Sequence, residues 1–229
     1  MTDLSEVRVR LDQMTERVIS RLKDRSRFPR NRPVYEPGGV PIVGREGISF
    51  LQFSLEGLEA YHASLGRFAY PDQFPLSSRA GYQSPVQRTV AQAGTRPVDI
   101  PIGDELVAFY IATLDDLCQP GEDPGTYGET VYVDADLLNL LHERVNVGRL
   151  VAEAKAADPA IPDALDDPVR LSEILRDRNR EEALLDSVEQ TAERYQLEPA
   201  IARRVFRWII EETLALEVSY LQRVRGGAG

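Results

Sequence analysis

The chain has 229 residues, 42% hydrophobic and 28% charged, enough length to bury a core and the composition of a globular protein. Its 27 basic and 37 acidic side chains leave a formal charge of −10, which argues against nucleic acid or an anionic membrane as a partner. That balance leaves room for a small anion held by a few cations in a pocket. Cys118 stands alone, so no intrachain disulfide is expected, and with only His62 and His142 beside it as soft ligands no zinc site is expected either. Cys118 reads as a plain core or surface cysteine, because neither histidine can be placed beside it from sequence. No run approaches the roughly 18 apolar residues of a spanning helix, and the N-terminus lacks a signal-peptide apolar region, so a soluble, cytoplasmic protein is expected.

Residues 3–28 are predicted to form a helix, with Leu4, Val7, Leu11, Met14, Val18 and Leu22 recurring at steps of three and four. Arg8 and Arg25 flank that stripe, and periodicity alone sends both toward water. The prolines and glycines between Phe28 and Gly39 end the helix. A second helix is expected over 46–65, on Ile48, Leu51, Phe53, Leu55, Leu58 and Tyr61. Residues 66–103, rich in Pro, Gly, Ser and Gln, read as a long irregular excursion, functional or wrapped on the surface. A third helix follows at about 104–117. After a Pro- and Gly-rich breaker, 130–157 reads as one long helix, 158–167 as a connector and 168–195 as another helix with Pro168 in its first turn. The last helix runs from near Pro199 to about Arg223, before a frayed tail. With no repeat, heptad array or alternating strand, the fold class is all-α: a single-domain helical bundle over residues 1–229.

Three of these helices set polar residues into apolar faces. Arg144, Val147, Gly148, Val151 and Lys155 follow one another at helical steps, so two cations about 16 Å apart by helix rise frame one stripe. A buried cation is costly unless something anionic meets it. The stripe Ile174, Asp177, Glu181, Leu184, Val188 carries two carboxylates, and Phe206, Ile210, Thr213, Glu217, Tyr220 carries a threonine and a glutamate. Polar groups converging in a bundle core are how such folds build sites. Two plainer accounts stand beside that one: stripes at the bundle edge with solvated polar groups, and internal salt bridges such as Lys155 with Glu181.

These residues carry a resemblance that spans nearly the whole chain. The motifs are Asp24-Arg25-Ser26-Arg27-Phe28, Val34-Tyr35-Glu36, Arg67-Phe68 with Pro71-Asp72, Gly148-Arg149-Leu150-Val151-Ala152-Glu153-Ala154-Lys155, Glu181-Glu182, and Thr213 with Glu217-Val218 and Tyr220-Leu221. In them the chain resembles the all-helical chorismate mutases, in the long eukaryotic form typified by the yeast enzyme. The resemblance implies that Arg8 and Arg144 bind the substrate carboxylates and that Lys155 donates to a carboxylate and the ether oxygen. It implies Glu181 near the substrate hydroxyl, Thr213 near a carboxylate, and Glu217 as a second donor to the ether oxygen when protonated. Asp177 stands where the yeast form has asparagine and short bacterial forms aspartate; Arg180 has a counterpart only in the bacterial forms.

The implied reaction is the rearrangement of chorismate to prephenate, inside one molecule and without a cofactor, in aromatic amino-acid biosynthesis. The resemblance also implies a homodimer. The positions that grip an aromatic amino-acid effector in the eukaryotic enzymes are altered here to Gly66-Arg67, Gly128-Glu129 and Tyr132, so feedback of that kind is not expected. Alternative functions on the same fold are a mutase acting on 4-amino-4-deoxychorismate in a specialised pathway, a lyase eliminating pyruvate from isochorismate, and a non-catalytic helical regulatory partner.

Overall fold

The computed structural model describes residues 4–69, 73–77, 84–86 and 94–226. Pro71-Asp72, most of the excursion's middle and the last residues of the tail lie outside these. Within them the chain forms α1 (Leu4–Arg25), α2 (Phe50–Ser64), α3 (Gly103–Leu117), α4 (Tyr127–Asn146), α5 (Gly148–Lys155), α6 (Pro168–Leu175), α7 (Arg178–Arg194) and α8 (Pro199–Arg225), joined by short 3-10 turns. No strand occurs among the described residues, and no described helix is long and apolar enough to cross a membrane.

The long α8 is the organising element. It packs against α3, α4, α5, α6 and α7, while α1 lies across α4, α5 and α7. The larger core gathers apolar side chains from every one of these helices except α6, among them Val18, Leu22, Leu106, Leu138 and Phe206. A smaller one, around Ala152, Leu171, Leu175, Leu214 and Leu221, joins α5, α6 and α8. Trp208 on α8 stacks on Phe109 of α3 at 4.5 Å between ring centroids.

Three helix boundaries and one side chain depart from the sequence reading. α2 starts at Phe50 rather than near residue 46, because Ser49 caps it by accepting a hydrogen bond from the Gln52 amide. The stretch expected as one helix over 130–157 divides at Val147 into α4 and α5. At Gly148 α5 meets α8 so closely that a Cβ would lie 2.9 Å from Thr213 Cγ2, so only glycine fits there unless Thr213 moves. The stretch expected as one helix over 168–195 also divides: Asp177 leaves the helix and caps α7, accepting from the Arg180 amide. Arg25 does not reach water. It is fully buried, and its guanidinium donates to Asp134 Oδ1 at 2.7 Å, to three carbonyls and to the Tyr35 hydroxyl.

The described parts of the excursion wrap the surface. Leu76 and Ser77 donate to Glu59 of α2. Further on, the Arg96 amide donates to the Tyr220 hydroxyl at 2.8 Å, and Arg149 and Arg223 donate to the carbonyls of Val98 and Asp99. Cys118 is buried, and burial pushes its thiol up to about 11, so it stays protonated at neutral pH and is a poor nucleophile.

Candidate active site

A cavity of about 140 Å³ opens where the two cores meet, roughly ten times the space one ordered water needs. Its walls are apolar, from Leu4 and Leu11 of α1, Val151 of α5, Leu184 of α7 and Ile209, Ile210 and Leu214 of α8. Into it the fold brings all eight polar residues singled out from sequence: Arg8, Arg144, Lys155, Asp177, Arg180, Glu181, Thr213 and Glu217. Five helices and the α6–α7 junction contribute, which explains why no short sequence window contains the site.

The two cations of the α4–α5 stripe have different surroundings. Arg144 is only 5% exposed and forms no ion pair with any described carboxylate. Burial pulls its guanidinium down to about 10; the charge of Asp12 opposes that and the charge of Arg180 adds to it. It remains a cation at neutral pH, and its Nε is a buried donor without a partner. Thr213 Oγ1 is likewise buried and unpartnered. Unmet buried polar groups are costly, and their presence beside a cavity calls for a ligand.

Lys155, at the other end, is held. Its Nζ donates to Glu217 Oε2 at 3.0 Å and to the Leu175 carbonyl at 2.6 Å. Of the internal salt bridges that the plainer account invokes, Lys155–Glu217 is formed and Lys155–Glu181 is not; Glu181 lies 3.6 Å from Arg176 Nε instead. Glu217 is 4% exposed and pushed up to about 7. Burial is the main cause, Lys155 opposes it and the charge of Glu181 reinforces it. Near neutrality Glu217 can therefore carry a proton and donate, which an ionised carboxylate cannot do.

The rim is more open. Arg8, Asp177 and Arg180 are exposed, and Asp177 spends one carboxylate oxygen on capping α7. Glu181 is half-buried, and burial raises it above the ordinary value against the pull of Arg176. Two groups that the sequence reading missed touch this constellation. Arg176, one residue before the α7 cap, reaches Glu181, and the Leu175 carbonyl receives Lys155. The available signal was an aspartate suited to an N-cap following a charged residue in mid-pattern. A backbone carbonyl leaves no signal of its own.

Four cations thus face three carboxyl groups, one of them protonatable near pH 7, in a pocket with apolar walls inside an acidic protein. The fold and site define a helical bundle whose pocket presents cations and hydrogen-bond donors between apolar walls, an arrangement suited to a compact anion. The family model for chorismate mutase type II matches residues 127–218. The chorismate mutase of Emericella nidulans is 25% identical over 256 aligned positions, spanning 98% of this chain and 93% of that protein. That of Schizosaccharomyces pombe is 28% identical over 155 positions, spanning 66% of this chain but only 61% of that protein. The crystal structure of the Candida albicans chorismate mutase in complex with L-tryptophan has the same fold, with a TM-score of 0.88, 23% identity, and coverage of 97% of this chain and 91% of that one. Along nearly its whole length and in its fold the chain is similar to the all-helical chorismate mutases of fungi and plants.

Proposed function

We propose that this chain converts chorismate to prephenate in the pocket between α1, α4, α5, α7 and α8. One C–O bond breaks and one C–C bond forms within a single molecule, so the protein must fold the substrate and stabilise charge rather than supply a nucleophile. In this reading Arg8 and Arg144 grip the two carboxylates through charge-assisted bonds, with Thr213 donating beside them and Arg180 adding positive potential. Lys155 and protonated Glu217 donate to the ether oxygen, where negative charge grows as the C–O bond breaks. Glu181 and Asp177 face the ring hydroxyl. The observation that carries the reading is the contrast along one stripe: a buried, unpaired Arg144 at one end and a Lys155–Glu217 donor pair at the other. The test follows loss of chorismate absorbance with the purified chain and identifies the product by mass spectrometry. Absence of turnover, with 4-amino-4-deoxychorismate consumed instead, would overturn the substrate assignment.

The same proposal takes the whole chain as one domain, since α8 runs through both cores, and as a cytoplasmic protein, in keeping with its single cysteine as a buried free thiol. It also includes a homodimer. Phe53, Tyr61 and Leu65 leave an exposed apolar stripe along α2, and Tyr132 is exposed on α4, which packs against α2. Sedimentation equilibrium should give twice the chain mass, and Tyr61→Lys should weaken that association. Feedback by aromatic amino acids is not part of the proposal: Arg67 is already paired with Glu143, and Glu129 adds an exposed carboxylate at an expected effector position. Chorismate turnover at saturating tryptophan or tyrosine should equal that without it.

A further inference from the structure

The break between α6 and α7 does more than turn the chain. Leu175 is the last residue of α6, and Arg176 follows in extended backbone, φ −76° and ψ 133°. A helix end leaves its last carbonyls without partners in the helix, and its dipole favours a cation there. The Leu175 carbonyl is one of these, and Lys155 occupies it. Two residues on, Asp177 caps α7. Between them Arg176 sends its guanidinium in two directions, with Nε 3.6 Å from Glu181 Oε1 and Nη2 2.5 Å from Glu211 Oε2 on α8. Three consecutive residues thus touch both the donor end and the acceptor rim of one pocket, yet Arg176 does not line the cavity.

Glu181 has few other means of being held. The charges acting on it are Arg176 from the junction, Arg178 from its own helix, Lys155 from α5, and Glu211 and Glu217 from α8. Arg176 is the described cation within ion-pair distance. Burial and Glu211 push the Glu181 carboxyl toward its neutral form, and Arg176 is the largest opposing influence. A planar guanidinium can present Nε to one carboxylate and Nη2 to another at a fixed angle, which an ammonium cannot.

We propose that Arg176 is a positioning residue of this pocket: anchored on Glu211 of α8, it holds the Glu181 carboxylate at the rim as an acceptor for a hydroxyl on the bound substrate. The hold on Glu181 stands on the geometry alone; the identity of the hydroxyl rests on the chorismate reading. Arg176→Gln should raise KM for chorismate about tenfold and change kcat much less, the signature of lost ground-state binding. In a Glu181→Gln background the same substitution should cost nothing further, since Arg176 acts through Glu181. Titration of the Glu181 carboxyl by carbon-13 NMR in the unliganded protein should move upward in Arg176→Gln. Arg176→Lys should return it toward the wild type while KM stays raised, because charge is kept and the fork is lost. Glu211→Gln, at an exposed side chain, should raise KM in the same direction but less and serves where Arg176→Gln does not fold; KM is its readout, because it also removes a negative charge that pushes the Glu181 carboxyl up. Equal losses in both backgrounds, or an unmoved Glu181 titration, would overturn the proposal. If the wild type does not turn over chorismate, the substrate reading falls, and the Glu181 titration still decides whether Arg176 holds it.

Discussion

Arg25 and Arg144 are both buried arginines on helices that meet in the larger core, and they have opposite surroundings. Arg25 has no exposure and a full set of acceptors, with Asp134 in turn accepting from the Tyr35 and Tyr110 hydroxyls. Arg144 has 5% exposure, no ion pair among the described residues and a buried Nε without an acceptor. The first is a closed network: every donor is met inside the protein, and nothing remains to offer a ligand. The second is open, with the cost of desolvation left standing beside a cavity. What separates a structural cation from a binding one is therefore the tally of partners around it, since burial is nearly the same.

The comparison can be broken by substitution. Arg25→Met should cost about 3–5 kcal/mol in urea unfolding, because it strands a buried carboxylate, while Arg144→Met should leave stability near the wild type or above it. Similar losses from both would erase the distinction. Lys155→Ala should instead lower kcat by about 10²–10³, the cost of one lost transition-state donor, and Arg144→Ala should lower kcat/KM by a similar factor through lost grip on a substrate carboxylate. Near-normal rates would remove either residue from the mechanism.

Glu217 sharpens the contrast through pH. With its carboxyl held at about 7, turnover should fall as pH rises through that value, and Glu217→Gln should flatten the profile. The same shift has a stability consequence. The folded state keeps a proton that the unfolded chain, at the ordinary 4.5, has already released, so the contribution of Glu217 to stability is fully present below about 4.5 and is lost as pH rises to about 7. Glu217→Gln should remove that slope in thermal melts. A smaller effect is expected from Gly148→Ala, where the added methyl meets Thr213 and should destabilise by about 1–3 kcal/mol.

Much of this was legible in the sequence. Apolar periodicity located the helices, and polar residues set into those faces, read with the family resemblance, named all eight side chains that the fold gathers. What escaped notice depends on partners distant in the chain. Arg25 sits beside its stripe as a solvated arginine would, and its burial is decided by Asp134, 109 positions away. Asp177 keeps helical step with Glu181, so periodicity could not tell a helix residue from the cap that interrupts the helix. No proline or glycine marks that break, and without the break neither the Leu175 carbonyl nor Arg176 has a reason to be noticed.

Trp208 is the chain's single tryptophan, and its stacking on Phe109 fixes it on α8 directly before Ile209 and Ile210, two of the pocket's wall residues. Indole emission responds to small changes in local polarity and ring contact, so this side chain is an intrinsic optical probe next to the site. Titrating the unlabelled protein with a non-reacting dianion should change its fluorescence, and Arg144→Met should abolish the change. Occupancy of the pocket can then be read in real time, without a dye and independently of turnover.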